Sequence, residues 1–242
     1  MPQRSDSVSA LKPIASRAGR AGPWSAAAWL GALHTALAML FAPPAAAGTL
    51  AVHVVGADGS PAADVVVEVM APGAALRVPT EPVLITQANM RFSPQVTAVP
   101  AGTTVRFANQ DGFDHHLRSQ PSGPLGSVAA AKDFEFRLPG MKADKAVTTD
   151  VLFDRAGLVV LGCHLHSSMR GHVYIAQSSL LAVTDSAGKA VIPAVPDGRV
   201  DVRYWHPEQL IEQSPAALQV AGPASLTATL NFKPSRARRK AG

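Results

Sequence analysis

Residues 157–176 read GLVVLGCHLHSSMRGHVYIA. Two apolar runs, GLVVLG and GHVYIA, frame a short polar loop. Period-two runs separated by turn residues are the pattern of two paired strands. The loop carries Cys163, His166 and Met169 at C-x-x-H-x-x-M spacing, with His164 directly after the cysteine. Five of the chain's eight histidines fall between positions 115 and 172, including the adjacent pair His115 and His116 in NQDGFDHHLRS.

Working outward, the same alternation recurs in LAVHVV (50–55), DVVVEVM (64–70), TTVRFAN (103–109), DFEFRL (133–138), LLAVT (180–184), RVDVRYW (199–205) and SLTATLNF (225–232). Residues 119–131 and 139–148 read as loops, and GADGSPAA between the first two runs carries hairpin turn chemistry. The mature region has no uninterrupted amphipathic helix of three turns. With 19 Gly, 20 Pro and 47% hydrophobic residues in 242, the chain is an all-β protein with a real core, sandwich-like in class. Its single cysteine excludes an intrachain disulfide framework and a four-cysteine zinc site.

A loop between two strands can bring a thiolate, an imidazole and a thioether to one point. One further imidazole from a neighbouring strand end completes two imidazoles, a thiolate and a weak axial methionine. That donor set is the blue-copper electron-transfer site. A lone Cys is ordinarily a small buried apolar residue and a lone His a polar surface residue. His34, His53 and His206 receive that surface reading. The joint pattern sets the loop apart: a histidine segment about 50 residues upstream, then the loop between two expected strands.

The segments MRFSPQVTAVPAGTTVRFANQDGFDHHLRS and FDRAGLVVLGCHLHSSMRGHVYIA resemble the cupredoxins, in particular plastocyanin and amicyanin, and are similar to bacterial exported plastocyanin-like or methylamine-utilisation-like proteins. The resemblance spans about residues 83–176. It implies a Greek-key cupredoxin β-sandwich holding one type 1 copper that passes single electrons. By the family pattern His115 matches the upstream ligand, and Cys163, His166 and Met169 match the other three. It also implies that His115 lies deep and that the edge of His166, nearer the surface, is the electron's exit, with Leu165 in a small apolar docking patch. The chain departs from the pattern at His116, where cupredoxins often carry an Asn whose side chain ties the two ligand loops together. Multicopper oxidases place a His beside the Cys, as His164 stands here, but they also need H-x-H pairs. This chain has none apart from His164 and His166, so an enzymatic copper cluster is not expected. His116, His164 and His172 stay open between outer-sphere support, an auxiliary metal site and plain surface.

Residues 24–42, WSAAAWLGALHTALAMLFA, are uncharged and mostly apolar, with Arg17 and Arg20 upstream and PPAAAG downstream. This is the pattern of a signal peptide over 1–47, cut after Ala47, which directs the mature chain to the periplasm without stable membrane insertion. A retained anchor is the rival reading. The net charge of +5 comes from the ends: residues 48–233 hold 14 basic and 16 acidic residues, a net of −2. The high pI is therefore no sign of a nucleic-acid-binding body, and the tail 234–242 reads as a solvated basic end.

Around the cupredoxin segment (79–177) lie 48–78 and 178–233. ADGSPAAD in the first and TDSAGKA with PDG in the second resemble pieces of a carboxypeptidase-regulatory-like, transthyretin-like β-sandwich. Neither piece suffices for a core alone, so the expectation is one small sandwich interrupted by the cupredoxin; two separate sequential elements are the simpler alternative. Trp205 is expected to pack in this second core. Carbohydrate binding is not expected, since no aromatic platform is visible. The leading function is an exported electron carrier docking transiently with redox proteins near His166. The alternatives are a periplasmic copper-handling chaperone or scavenger, and an interaction module merely stabilised by copper.

Overall fold

The computed structural model describes residues 47–123 and 126–235. The expected signal peptide, up to residue 46, and the basic residues of the tail lie outside the described residues. The described chain is all-β, with sixteen strands and no α-helix. Among the described residues no helix is long and apolar enough to cross a membrane.

The chain begins with β1 (Ala47–Val55) and β2 (Val66–Met70). Nine strands follow: β3 (Val83–Ala88), β4 (Arg91–Ser93), β5 (Val96–Pro100), β6 (Thr103–Asn109), β7 (His115–Gln120), β8 (Glu135–Leu138), β9 (Val147–Phe153), β10 (Gly157–Cys163) and β11 (Arg170–Ala176). These nine form two sheets, ordered β5-β11-β10-β7-β8 and β4-β3-β6-β9. Consecutive strands repeatedly change sheet, as in Greek-key sandwiches. Inward residues of both sheets meet in one core containing Ile85, Val105, Phe107, Leu117, Leu138, Phe153, Leu161, Val173 and Ile175. Phe107 and Phe153, both fully buried, pack with Phe134 and Phe136 at ring separations of 5.6–6.0 Å.

The last five strands are β12 (Leu181–Val183), β13 (Lys189–Pro196), β14 (Gly198–Trp205), β15 (Ala216–Val220) and β16 (Ala224–Thr229). They combine with the first two. One sheet is ordered β13-β1-β16 and the other β12-β2-β14-β15. Their shared core is almost wholly aliphatic: Leu50, Val52, Val54, Val65, Val67, Val69, Ile192, Val195, Val200, Val202 and Leu230. Thr184 fastens the two sequence segments of this sandwich, accepting from the Val65 amide at 2.9 Å and donating to the Ala62 carbonyl at 2.8 Å.

Several expectations require correction. The turn at GADGSPAA closes as foreseen, with the Ala62 amide donating to the Val54 carbonyl and a bridge between Val55 and Pro61. Yet β1 and β2 do not form a hairpin ladder. β1 pairs with β13 and β16, and β2 with β12 and β14. Val66, Val67, Glu68 and Val69 are all buried, so β2 is an interior strand of the opposite sheet, and Asp64, at φ +59°, turns the chain toward it. Trp205 is not in the second core. It is half-buried and packs on His172 and Tyr174 of β11, each at 5.8 Å between ring centres. His206, expected at the surface, is buried against Phe232. The expected loop 139–148 ends early, because β9 begins at Val147.

The two sandwiches meet around Glu68 of β2, which is 2% exposed. Its carboxylate accepts from the Tyr174 hydroxyl at 2.7 Å and from the amides of Gln177 and Ser178 at 2.7 and 2.9 Å. A buried carboxylate is tolerated when its oxygens are so engaged.

Candidate metal centre

One end of the central sandwich gathers the donors. His115 opens β7 and Cys163 closes β10, and these strands are antiparallel neighbours with Cys163 opposite Leu117. After Cys163 the chain turns tightly. The Met169 amide donates to the His166 carbonyl at 2.9 Å before β11 leads away. This turn folds His166 back over the strand ends. The Nδ1 atoms of His115 and His166 are 3.1 Å apart, and Cys163 Sγ lies 3.8 and 3.6 Å from them.

These three distances test whether the residues fit a metal. A point centred in that triangle lies about 2 Å from each donor, near the roughly 2.0–2.3 Å that first-row metals keep from imidazole nitrogen and thiolate sulfur. The donors are two imidazole nitrogens and one sulfur, a set that first-row metals such as copper take. Met169 is 1% exposed and belongs to the same core cluster as Cys163.

Neighbouring groups prepare the donors. His115 is fully buried, and its Nε2 lies 2.9 Å from Asp111 Oδ2. A carboxylate only accepts, so Nε2 is the donor and Nδ1 is the ring atom that faces the centre. Burial raises the Asp111 carboxyl, but the Met90 amide, His115 and the Asn89 amide outweigh it and hold it below the usual carboxylate range. The His116 amide points at Cys163 Sγ from 3.4 Å. Asn109, fully buried, shapes the loop that carries Asp111. Its Nδ2 donates to the carbonyls of Phe113, Leu138 and Pro139, and its Oδ1 accepts from the Asp111 amide at 2.9 Å. Gly140 is where this loop meets the β8 end: a Cβ there would stand 2.7 Å from the Gly112 backbone, so no other residue fits without moving the loop.

The structure thus brings His115, Cys163 and His166 together and buries Met169 nearby. His166 is half-buried beneath Phe113, at 5.3 Å between rings, and Leu165 is 51% exposed. The tie that cupredoxins often assign to an Asn side chain is made here by backbone: the His164 amide donates to the His116 carbonyl at 2.9 Å. The His116 imidazole faces outward to Glu135 instead. His172 lies on β11 and packs on Trp205, away from the triad. The sequence reading gave no role to Asp111 and Asn109. Their sequence signal is the N-x-D-G-F segment, residues 109–113, that precedes His115.

No protein-family model matches the chain, and no curated protein does. Among solved structures, cupredoxins are similar to part of it. A copper-containing nitrite reductase from Thermus scotoductus SA-01 is 24% identical over 45% of this chain, at a TM-score of 0.33, and the match spans 25% of the reductase. A reduced amicyanin mutant is 21% identical over 46% of this chain and 98% of its own, at a TM-score of 0.29. A purple cupredoxin from Nitrosopumilus maritimus is 22% identical over 39% of this chain and 99% of its own, at a TM-score of 0.31.

Proposed function

We propose that this chain is an exported electron carrier with one type 1 copper that His115, Cys163 and His166 would hold, with Met169 as a weak fourth donor. The observation that carries the reading is the triangle of 3.1, 3.6 and 3.8 Å formed by two Nδ1 atoms and one Sγ. The bound copper would supply the one-electron couple. The protein's part is to hold the donors in a compromise geometry on two paired strand ends and a short turn. Asp111 fixes the ring of His115, and the His116 amide steadies the sulfur. His166 is the ligand nearer solvent. Around that end of the sandwich Phe113, Leu165, Met90 and Met141 are exposed apolar residues. A patch of this kind suits the small, transient interfaces of redox encounters, below about 1,200 Å² in total. Export through a signal peptide at residues 1–47, a periplasmic location and the absence of a catalytic role belong to the same proposal.

The deciding experiment compares copper-loaded wild type with Cys163→Ser. Wild type is expected to show the intense thiolate-to-copper charge-transfer colour and fast electron self-exchange, and the variant to lose the colour. Colour persisting in Cys163→Ser overturns the ligand assignment. A blue wild type with slow self-exchange and ready copper transfer to an acceptor overturns the carrier role in favour of copper handling.

A further inference from the structure

A second group of metal-ligating side chains lies on the outer face of the same sheet. Side chains alternate along a strand, so the residue after an inward-facing one points out. His116 follows His115 on β7, and His164 follows Cys163 one residue beyond β10. β8 pairs with β7 on its other side, with Glu135 opposite Arg118 and Arg137 opposite His116. Three side chains converge there. His116 Nε2 lies 2.9 Å and His164 Nε2 3.4 Å from the same Glu135 oxygen, Oε1. The two imidazole rings are 4.8 Å apart at their centres.

We propose that His116, His164 and Glu135 form a second, surface metal site for a borderline divalent cation, Cu²⁺ or Zn²⁺. Two imidazoles and a carboxylate are a donor set that such ions take, with water completing the shell. The arrangement invites a cation more than a plain ion pair. Two imidazoles facing one carboxylate oxygen is more donor than one ion pair uses. Arg137, opposite His116 in the ladder, is already held by Asp114 at 2.8 Å. The three side chains are 34%, 37% and 55% exposed, so they can reorient around an entering ion, which would displace the Nε2 protons that now face Glu135. The backbone beneath them is fixed by the bond from the His164 amide to the His116 carbonyl. This outer site shares no side chain with the inner triad and does not rest on its being filled.

The test is a Zn²⁺ titration by calorimetry of protein whose inner site has first been given one equivalent of copper. One zinc per chain is expected in wild type. Affinity should fall at least about tenfold in His116→Ala and in His164→Ala, and less in Glu135→Gln. His53→Ala, which alters a histidine elsewhere, should change nothing. Equal zinc stoichiometry and affinity in wild type and both histidine variants overturn the proposal. The inner reading is scored separately, by colour. If copper leaves the protein colourless, the zinc lost on replacing His116 or His164 still reads the outer site.

Discussion

The two sandwiches reach one architecture with different interiors. The flanking sandwich, built from β1, β2 and β12–β16, is filled with valine, leucine, isoleucine and alanine, with Tyr204 as its one buried aromatic. The central one holds a phenylalanine cluster and, at one end, buried Asn109, Asp111, His115 and Cys163. An aliphatic core needs only shape and volume. Buried polar groups must each find a partner, and here those partners fix the rings and loops of the candidate centre. The contrast sets a mainly aliphatic sandwich beside one whose end holds the candidate centre.

The sharpest way to break that contrast is to open one core at a time. Phe107→Ala removes a fully buried ring in contact with Phe134 and Phe136. It is expected to cost about 3–5 kcal/mol and to weaken copper retention. Val67→Ala, equally buried in the other core, should cost about 2 kcal/mol and leave the colour intact. Denaturant titrations followed by visible absorbance and circular dichroism together read both. If both variants bleach alike, the two cores act as one.

Next in size is the junction. Glu68→Leu leaves the Tyr174 hydroxyl and two amides without their acceptor. A loss of about 2–3 kcal/mol is expected, with the charge-transfer band unchanged. A shifted band would mean that the flanking sandwich reaches the centre. Within the centre, Asp111→Asn removes the charge facing His115 Nε2 and, with one acceptor oxygen instead of two, serves fewer of its three donors. About 1 kcal/mol of stability should go. The reduction potential should rise, because a less basic His115 stabilises Cu(II) less. Voltammetry checks the direction, and an unchanged or lower potential would remove Asp111 from any positioning role.

The same contrast explains what could be read beforehand. Cys163, His166 and Met169 share one loop, so their spacing is local and visible in the sequence. Whether His115 reaches that loop depends on β7 lying beside β10, a contact 48 residues apart. Asp111 and Asn109 act through backbone amides and a ring nitrogen that only the folded loop brings near. In the flanking sandwich, alternation revealed most strands but not their partners. GADGSPAA is a sound turn, yet four consecutive buried residues in β2 send it to the other sheet. β13 escaped notice because KAVIPAVP holds two prolines. It tolerates them as an edge strand with a register shift opposite Gly48 and Leu50, where Ala194 takes φ +57°. Trp205 and His206 were misplaced for a related reason: a short apolar pattern does not say whether a side chain faces its own core or a neighbouring sandwich.

A pH-dependent effect lies where the two sandwiches touch. Burial, with Arg170 and then His206 adding repulsion, pushes the His172 imidazole down from 6.5 to about 4. Its Nδ1 is buried without a hydrogen-bond partner, and its ring rests on Trp205. Between about pH 6.5 and 4 the unfolded chain therefore binds a proton at this residue that the folded chain refuses. Stability rises with pH across that window, is complete above it, and is lost progressively as acid approaches the lower value. His206, also held low by burial, adds to the slope in the same direction. Thermal melts from pH 4 to 8 should show the midpoint climbing and then levelling, with a shallower climb in His172→Gln. Because the group sits at the junction and not beside the triad, Trp205 fluorescence should report the acid change before the visible band does. Bleaching that precedes the fluorescence change would place the acid-labile point in the centre and not between the sandwiches.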